Sequence, residues 1–351
     1  MTARLADIAR RADVSEATVS RVLNDRPGVA EATRNKVLRV VDVLGYDRPS
    51  RLRRKSTGLV GLITPDMTNP IFPGIAQVLE PALTAEGFTP VLCTDATLGA
   101  NEDTYVEMML ERGVAGIVFV CGTHTNIDSD PARYNRLREH GLPIVLFNGY
   151  LDGVDAPFVS NDDVYSAQLA TSHLVDLGHQ RIGLAAGPPR YISVVRKIAG
   201  YRAATAELLG MHEVDSLIAH ASFSVAGGAA AAVDLIQSGV TGIVCASDEM
   251  ALGAIRAARK LGVDVPRDLS VVGFDDSPLM AFTDPALTTV RQNIKDMGQT
   301  AVRLLLAQIH GDEPPRTELL FRPELVVRAS TSVAPEQVTS VAVDTTAGHK
   351  R

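Results

Sequence analysis

A short helical pattern near the N-terminus carries side chains that can read the edges of base pairs. It begins directly after Ser15 and has the sequence EATVSRVLN. Arg21 can form two hydrogen bonds with guanine, Glu16 can accept one from the amino group of cytosine, and Ala17 can offer a methyl contact to thymine. The Ser15 side chain can accept a backbone N–H and cap the helix. These residue types along one short helix indicate contact with the major groove of a nucleic acid.

Three helical patterns within the first 45 residues must position these side chains. They are LADIARRA (5–12), EATVSRVLN (16–24) and EATRNKVLRVVDVLG (31–45). Two short helices joined by a tight turn, here at ADVS, are typical of a helix-turn-helix, whose second helix enters the major groove with its N-terminus. We predict a small all-α bundle with a core of Leu5, Ile8, Ala9, Val14, Val19, Val22, Leu23, Val37, Val40 and Val41.

Charge is distributed unevenly along the 351 residues. The first 57 residues hold 13 Lys and Arg against 7 Asp and Glu, a net charge of +6, whereas the rest of the chain carries −13. A basic end on an acidic body suggests that the first segment contacts a polyanion. The charged N-terminus lacks the apolar run of a signal peptide, and no apolar run is long enough to span a bilayer. We therefore expect a cytoplasmic protein without a membrane partner.

Past residue 58, short apolar runs alternate with longer amphipathic stretches. The runs are GLVGLIT (58–64), TPVLCT (89–94), AGIVFV (115–120), PIVLFN (143–148), RIGLAA (181–186), TGIVCA (241–246) and SVVGFD (270–275). Helical patterns lie at 75–87, 164–178, 194–210 and 249–262. Continuous Val, Ile and Leu runs between helices indicate parallel strands that are covered on both faces. The region is longer than one such sheet needs, so we predict two doubly wound parallel-sheet subdomains with a ligand cleft between them.

Enzyme chemistry is the main alternative for a doubly wound fold, and the sequence gives it little support. GxGxxG, GxxxxGK[ST], GxSxG and HExxH are absent, and the eight histidines form no metal-spaced cluster. Cys93, Cys121 and Cys245 are far apart in apolar surroundings, which favours buried free thiols. We expect no catalytic residue, no metal and no cofactor.

The run LADIARRADVSEATVSRVLNDRPGVAEATRNKVLRVVDVLGY resembles the headpiece of the LacI/GalR family of bacterial transcription repressors. In that family the two residues after the capping serine and the arginine before Val-Leu-Asn read the operator, which implies Glu16, Ala17 and Arg21 here. The resemblance implies double-stranded operator DNA as the partner of a homodimer. The DNA contacts that we assign to the headpiece are Ser15, Glu16, Ala17, Thr18, Ser20, Arg21, Asn24, Thr33 and Arg34.

The segment after the headpiece departs from the family pattern. Relatives place a leucine about seven residues after a hinge proline, where it wedges into the minor groove, but here Ser56 stands seven residues after Pro49. We propose Leu52 as the wedge in a shifted register, with Arg51 and Arg54 on neighbouring phosphates, because a wedge needs one apolar side chain beside cations. The alternative is a flexible basic linker that supplies only salt-sensitive attraction.

The body resembles the family's effector domain, which is itself similar to periplasmic sugar-binding proteins. The matching pieces are NPIF (69–72), SND (160–162), HLVDLGHQRIGLAAGP (173–188), SVVRKIAGYRAA (193–204), ASDEMALGAI (246–255) and VVGFDD with DPALTTVRQ (271–292). Carried across by position, the resemblance implies effector contacts at Phe72, Asp162, Arg196, Phe223, Ser247, Asp275 and Gln292. Carboxylates and an arginine suit paired sugar hydroxyls, and a phenylalanine suits an apolar ring face. Arg196 and Asp275 could instead pair with each other or with helix ends.

The resemblance thus implies a ligand-responsive repressor with a helix-turn-helix headpiece and a periplasmic-binding-protein-like domain. RPSRLRRKSTGLVGLI and NPIFP are most similar to the maltose-regulator branch, so we expect a sugar, with a purine or nucleoside corepressor as the alternative. The predicted boundaries are a headpiece at 1–47, a hinge at 48–57, an effector and dimerisation domain at 58–334 and a disordered tail at 335–351. Within the effector domain we predict an N-subdomain at 58–157 plus 292–320 and a C-subdomain at 158–291 plus 321–334.

Overall fold

The computed structural model describes residues 5–23, 26, 28–43, 58–65, 67–95 and 101–335. Its contacts separate the described chain into two compact units: the N-terminal helices together with Glu107–Ala115, and the rest from Val60 onward. Each unit is described by itself below. The predicted hinge and all but the first residue of the predicted tail lie outside the described residues.

The N-terminal helices form the small bundle that the apolar spacing predicts. Helix α1 covers Leu5–Ala12, α2 covers Glu16–Leu23 and α3 covers Glu31–Val43. Residues buried between them are Ile8, Ala9, Ala12, Val19, Val22, Leu23, Val37 and Val41, with Val14, Val29 and Val40 packed at the edge. The prediction of Leu5 as a core residue is wrong: its side chain is 38% exposed, and fully buried Ala12 takes part in the core instead.

A six-stranded sheet forms the first half of the body. Its strands are β1 (Leu59–Pro65), β2 (Thr89–Asp95), β3 (Gly116–Val120), β4 (Ile144–Phe147), β5 (Phe158–Asn161) and β11 (Glu318–Phe321), in the order β11-β5-β4-β3-β1-β2. The pairs β1–β3, β3–β4, β4–β5 and β5–β11 are parallel. The accompanying helices are α4 (Ile71–Ala85), α5 (Glu102–Arg112), α6 (Ala132–Glu139) and α11 (Ile294–His310). Helix α11 packs against α4 and against strands β3 to β5.

A second six-stranded sheet forms the other half. Its strands are β6 (Ile182–Ala186), β7 (Ile218–His220), β8 (Gly242–Cys245), β9 (Ser270–Asp275), β10 (Thr288–Arg291) and β12 (Glu324–Val326), in the order β12-β10-β9-β8-β6-β7. Among the described strands of this sheet, β10 pairs antiparallel with the edge strand β12, and the other pairs are parallel. Its helices are α7 (Asp163–Asp176), α8 (Ile192–Leu209), α9 (Val225–Gln237) and α10 (Asp248–Lys260).

The second sheet is buried on both faces, as its continuous apolar strands require. Ile243 of β8 packs under α9 and α10 on one side. Val244, the next residue, packs under α7 and α8 on the other. Helix α8 approaches α7 closely at Gly200, where a Cβ would lie 2.1 Å from the carbonyl oxygen of Val164. Any side chain at residue 200 would therefore push the two helices apart.

In the part of the chain that the structure describes, the backbone crosses from one half of the body to the other between β5 and α7, between β10 and α11, and between β11 and β12. The predicted subdomain boundary before residue 158 needs correction, because Phe158–Asn161 pairs with β4 and β11 in the first sheet. The chain crosses after Asn161, so β5 belongs to the N-subdomain. The second predicted boundary also moves slightly, since β11 of the first sheet continues to Phe321.

Candidate functional site

Helix α2 presents a polar face that its own packing leaves outward. The Ser15 hydroxyl accepts the backbone N–H of Thr18 at 3.1 Å and so caps the helix. Before it, Asp13 adopts a φ of 51°, a left-handed conformation that Asp tolerates better than most residues. Because the opposite face is buried in the bundle core, Glu16, Ala17 and Arg21 are exposed together. The side chains that the sequence assigns to base reading are therefore available to a partner.

The other predicted DNA contacts are less exposed or lie outside the described residues. Thr18, Ser20, Thr33 and Arg34 are half-buried. The Arg34 guanidinium donates to the carbonyl oxygen of Arg26 at 3.2 Å, which ties α3 to the loop before it. The predicted contacts outside the described residues are Asn24, Arg51, Leu52 and Arg54.

The body has a buried polar cluster where strands of both sheets reach their C-terminal ends. Asp275 ends β9 and is 7% exposed, and the Gln292 side chain, 4% exposed, donates to its Oδ1 at 2.7 Å. The Asn69 side chain, which comes after β1 in the first sheet, also acts on the Asp275 carboxyl and lowers its pKa. Burial raises the pKa of Asp275 well above its usual value, and the nearby Asp248 carboxylate raises it further. Asp275 thus interacts with side chains from both halves of the body.

The backbone at Asp275 is held in an uncommon conformation. Its φ is 121°, and that of Asp276 is 56°. The Asp276 carboxylate fixes the turn, because it accepts a hydrogen bond from Arg291 at 2.7 Å and another from Arg328 at 2.7 Å. Positive φ values at non-glycine residues cost energy and often occur where a binding group must be aimed.

A buried ion pair next to Asp275 was missed by the sequence analysis. Lys197 Nζ lies 2.6 Å from Asp163 Oδ1, and the two side chains are 9% and 7% exposed. The same ammonium group lies 3.7 Å from the ring centroid of Phe274. Its charge also acts on Asp275. The signal was present in VVRKIAGY, where Lys197 follows Arg196 and therefore points about 100° further around α8.

Cys121 follows β3 and lies within the electrostatic reach of the same groups. Burial raises the pKa of its thiol to about 12, and the Asp275 and Asp163 carboxylates raise it while Lys197 lowers it. The thiol donates towards the carbonyl oxygen of Asn148 at 3.6 Å. Cys121 therefore stays a protonated thiol and does not provide a nucleophile.

Two predicted effector residues cap helices. Asp162 Oδ1 accepts the backbone N–H of Tyr165 at 3.0 Å at the start of α7. Ser247 Oγ accepts that of Met250 at 3.3 Å at the start of α10, and the serine is 2% exposed. Both residues lie at the C-terminal ends of strands, but each uses one side-chain oxygen to cap the helix that follows.

Aromatic side chains follow or flank strands of both sheets. The rings of Phe223 and Tyr191 lie 5.9 Å apart between centroids. Phe223 rests directly on Gly187, where a Cβ would lie 2.3 Å from its Cζ atom. Phe72 is half-buried in the first turn of α4, and its backbone N–H donates to the carbonyl oxygen of Asn69 at 3.2 Å. Apolar ring faces are thus available on both sheets.

Arg196 does not pair with Asp275. Its Nη1 and Nη2 atoms each lie 2.7 Å from a carboxylate oxygen of Glu318, and its Cζ lies 5.7 Å from the ring centroid of Tyr150. The structure therefore brings Asp275 and Gln292 together at the polar cluster. It places Arg196 in an ion pair and adds Asn69 and Lys197 to the candidate residues.

The cluster offers carboxylate and amide groups beside aromatic faces, which is suited to binding hydroxyl groups of a polar ligand. Among the described residues, no group of three or more His, Cys, Asp or Glu side chains could hold a metal ion. In the same part of the chain no helix has the length and apolar composition needed to cross a membrane.

Comparison with known families matches both parts of the chain. Residues 4–49 match the family described as bacterial regulatory proteins, lacI family. Residues 171–331 match a periplasmic binding protein-like domain.

Individual relatives cover nearly the whole chain. The HTH-type transcriptional regulator MalR of Streptomyces coelicolor is 57% identical over 338 residues, which are 95% of this chain and 98% of that protein. The repressor CytR of Escherichia coli is 31% identical and covers 95% of this chain and 97% of its own.

Solved structures agree with the fold. A complex of the transcriptional regulator CelR with cellobiose has a TM-score of 0.71 at 31% identity, covering 93% of this chain and 99% of that one. A lac repressor dimer bound to operator and an anti-inducer has a TM-score of 0.69 at 27% identity, covering 95% and 100%.

Proposed function

The chain belongs to the lacI family of bacterial regulatory proteins, and we propose that it represses transcription by binding a near-palindromic operator as a dimer. A sugar or sugar derivative in the cleft between the two sheets controls its affinity for DNA. The observation that carries the proposal is the cluster of Asp275, Gln292 and Asn69 between the sheets, in a chain whose helix α2 exposes base-reading side chains.

Helix α2 supplies the sequence specificity. Arg21, Glu16 and Ala17 face away from the bundle core and have the donor, acceptor and methyl groups that distinguish base pairs in the major groove. The basic hinge, with Leu52 as a minor-groove wedge between Arg51 and Arg54, contributes contacts that depend on salt concentration.

A neutral ligand fits the charges at the cleft better than a phosphorylated one. Lys197 and Arg196 are each paired with a carboxylate of their own, and Arg291 and Arg328 both pair with Asp276, so these four cations already have anionic partners. Asp275 and its amide partners remain to bind hydroxyl groups, and Phe223 or Phe72 can cover an apolar sugar face. Cellobiose in the CelR complex and the resemblance to the maltose-regulator branch favour a glucose disaccharide such as maltose.

A purine or nucleoside corepressor is the second candidate. The aromatic pair of Tyr191 and Phe223 favours it, because an aromatic ring face stacks on a flat base as readily as on a sugar. The two candidates differ in their effect on DNA binding: an inducer releases the operator, and a corepressor tightens it.

An exposed apolar segment in the half of the body that contains the second sheet supports dimerisation. Leu279 and Phe282, in the 3-10 helix Pro278–Phe282, are 65% and 84% exposed. Large apolar side chains exposed side by side are typical of an interaction surface. The partner that we propose for them is a second copy of this chain, as a two-fold operator requires.

Ligand and DNA are coupled through this dimer. A ligand that contacts Asp275 from one sheet and Asn69 from the other favours the closed arrangement of the two sheets, because it binds that arrangement more tightly. Closure changes the placement of the N-terminal sheets in the two subunits and with it the spacing of the hinges and headpieces.

The proposal is tested with the full-length protein and the DNA upstream of its own gene. A gel shift that survives excess unrelated DNA supports the repressor, and maltose, cellobiose, ribose, hypoxanthine and adenosine are then added singly. Release of the DNA by a sugar supports the sugar inducer, while tightening by hypoxanthine or adenosine supports the corepressor. Failure to bind this DNA above competitor would contradict the proposed function.

A further inference from the structure

A buried carboxylate at the start of α5 binds the loop that follows β3. Glu102, the first residue of α5, is 3% exposed. Its Oε2 atom accepts the backbone N–H of Thr123 at 2.8 Å, and its Oε1 atom accepts the hydroxyl of Tyr134 at 2.8 Å. An Arg133 guanidinium nitrogen lies 3.2 Å from the same Oε1. Three donors therefore converge on one carboxylate, and hydrogen bonds to a charged acceptor are stronger than neutral ones.

The loop at 121–127, called the β3 loop below, also packs directly on this carboxylate. A Cβ at Gly122 would overlap Glu102 Oε2, so the backbone passes closer than any other residue would allow. The backbone N–H of His124 donates to the Tyr134 hydroxyl at 2.9 Å. Burial and the Glu102 charge raise the pKa of Tyr134, so its hydroxyl keeps the proton that it donates to Glu102. Glu102 and Tyr134 thus bind two successive N–H groups of the loop.

The β3 loop reaches both the polar cluster and the second half of the body. It begins at Cys121, whose φ is 48° and whose thiol lies within the electrostatic reach of Asp275. Further along, Asn126 forms an antiparallel bridge with Tyr191, which precedes α8. A positive φ at a non-glycine residue costs energy and persists only where the surroundings hold it. Glu102 supplies such contacts to the residues that follow Cys121.

We propose that Glu102 is a positioning residue of the ligand cleft, because it fixes the β3 loop and so sets where Cys121 and its neighbours stand. Glu102 acts through the loop, since its carboxylate oxygens are bound by Thr123, Tyr134 and Arg133. A loop that is already fixed loses less conformational freedom when a ligand binds, which strengthens binding. This last consequence rests on the proposed function, whereas the fixing of the loop does not.

Thiol labelling of the full-length protein without added sugar tests this role. Iodoacetamide is added, and the peptides that contain Cys121, Cys93 and Cys245 are quantified separately by mass spectrometry. Burial raises the pKa of the Cys121 thiol to about 12, so labelling at Cys121 requires the loop to open. Glu102→Gln should speed labelling at Cys121 by about tenfold, because a neutral amide replaces the charged acceptor. Labelling at Cys93 in β2 and at Cys245 in β8 should not change.

The next residue of α5 provides a matched control. Asp103 pairs with the same Arg133, and its side chain is 67% exposed. Asp103→Asn removes one carboxylate from the start of α5 but leaves the acceptor of Thr123 and Tyr134 in place. Labelling at Cys121 should then stay as in the wild type.

Gly122→Ala disturbs the same contact from the side of the loop. The φ of Gly122 is −76°, which alanine adopts without strain, but the added Cβ displaces the loop from Glu102. Labelling at Cys121 should rise as it does in Glu102→Gln. The double variant should show less than the product of the two single effects, because both changes break one contact.

Maltose affinity extends the test to the cleft. Glu102→Gln should weaken maltose binding several-fold, and Asp103→Asn should leave it unchanged. Equal affinity in Glu102→Gln and the wild type would overturn the role in ligand binding. If the wild-type protein does not bind maltose, that result counts against the proposed ligand alone, and the labelling still decides whether Glu102 fixes the loop.

The proposal is overturned if Cys121 in Glu102→Gln is labelled as slowly as in the wild type. A parallel rise at Cys93 and Cys245 would also overturn it, because Glu102 would then stabilise the whole fold and not the β3 loop. Equal increases in Asp103→Asn and Glu102→Gln would contradict it as well, since the loss of any charge at the start of α5 would then suffice.

Discussion

Gln292 donates from Nε2 to Asp275 Oδ1 at 2.7 Å, while the Gln292 Oε1 atom is buried and has no hydrogen-bond partner among the described residues. The two residues join the end of β9 to the crossover that leads into α11. A ligand hydroxyl could donate to that oxygen and remove the cost of leaving it unpaired. The bond therefore places one side of the proposed ligand site directly on a connection between the two sheets.

Arg21→Ala should weaken binding to the correct operator by about 1–3 kcal/mol and relax the preference at one base position, since a bidentate arginine reads a single guanine. Fluorescence anisotropy with operators substituted one base pair at a time measures both effects. Arg54→Ala is the comparison variant: it should weaken all sequences alike and reduce the salt dependence. An unchanged base preference in Arg21→Ala would remove this residue from the reading face.

Asp275→Asn should raise the melting temperature at neutral pH. Burial raises the pKa of this carboxyl above its value of about 4 in the unfolded chain. The unfolded state then releases its proton at lower pH, and the folded state becomes relatively less stable as pH rises through that window. The amide cannot ionise, so the difference between variant and wild type should disappear as pH falls towards 4.

Asp248 must be considered in that experiment, because burial raises its pKa to about 6 and its charge acts on Asp275. Melting curves at several pH values for Asp275→Asn, Asp248→Asn and the double variant separate the two groups. If the difference in melting temperature between Asp275→Asn and the wild type did not vary with pH, that result would contradict a raised pKa of Asp275.

Lys197→Met should destabilise the fold by about 3–5 kcal/mol, the cost typical of leaving one member of a buried ion pair unpaired. Here that member is Asp163, whose oxygen lies 2.6 Å from the ammonium group. Urea unfolding measures the loss, and adding Asp163→Asn should recover a large part of it. Arg202→Met, which breaks an exposed pair on the same helix, should cost less than about 1 kcal/mol. Equal losses in the two single variants would contradict the buried pair's role.

Phe282→Ser with Leu279→Ser should shift the protein from dimer to monomer. The two side chains are 84% and 65% exposed, so the change removes apolar surface without opening the core. Light scattering measures the mass, and the melting temperature of the fold checks that the monomer is folded. Substituting Leu261, which is 48% exposed at the end of α10, provides the control. A dimer that survives the double change would place the interface elsewhere.

Apart from the partly exposed edge strand β2, the strands that the sequence identifies are those whose residues are buried on both faces. GIVC of β8 is fully buried and reads as an apolar run. FVSN of β5 is equally buried but ends in the polar residues Ser160 and Asn161, so it carries no apolar run. Ser160 Oγ donates to the carbonyl oxygen of Gly149, and Asn161 Nδ2 donates to Ser166 Oγ at the start of α7. The edge strands β7, β11 and β12 were missed because they are only partly buried.

The strand ends that carry Asp275 and Gln292 could be predicted from the sequence, but the direction of the side chains on α8 could not. Asp275 and Gln292 meet because each follows a strand end, which the apolar runs and the family resemblance indicate. Arg196 and Lys197 are adjacent in one helical pattern, and which of them faces the interior depends on how α8 rotates against α7. That rotation is set by the close contact at Gly200, which becomes visible only once both helices are placed.

The most direct measurement of the central claim is a titration of maltose into a complex of the full-length dimer with its operator, followed by anisotropy of the labelled DNA. The wild-type protein should change its DNA affinity at a defined sugar concentration. Asp275→Asn should bind the operator equally well without sugar and show no response. A sugar response that persists in Asp275→Asn, or operator affinity that no sugar alters in the wild type, would contradict the account.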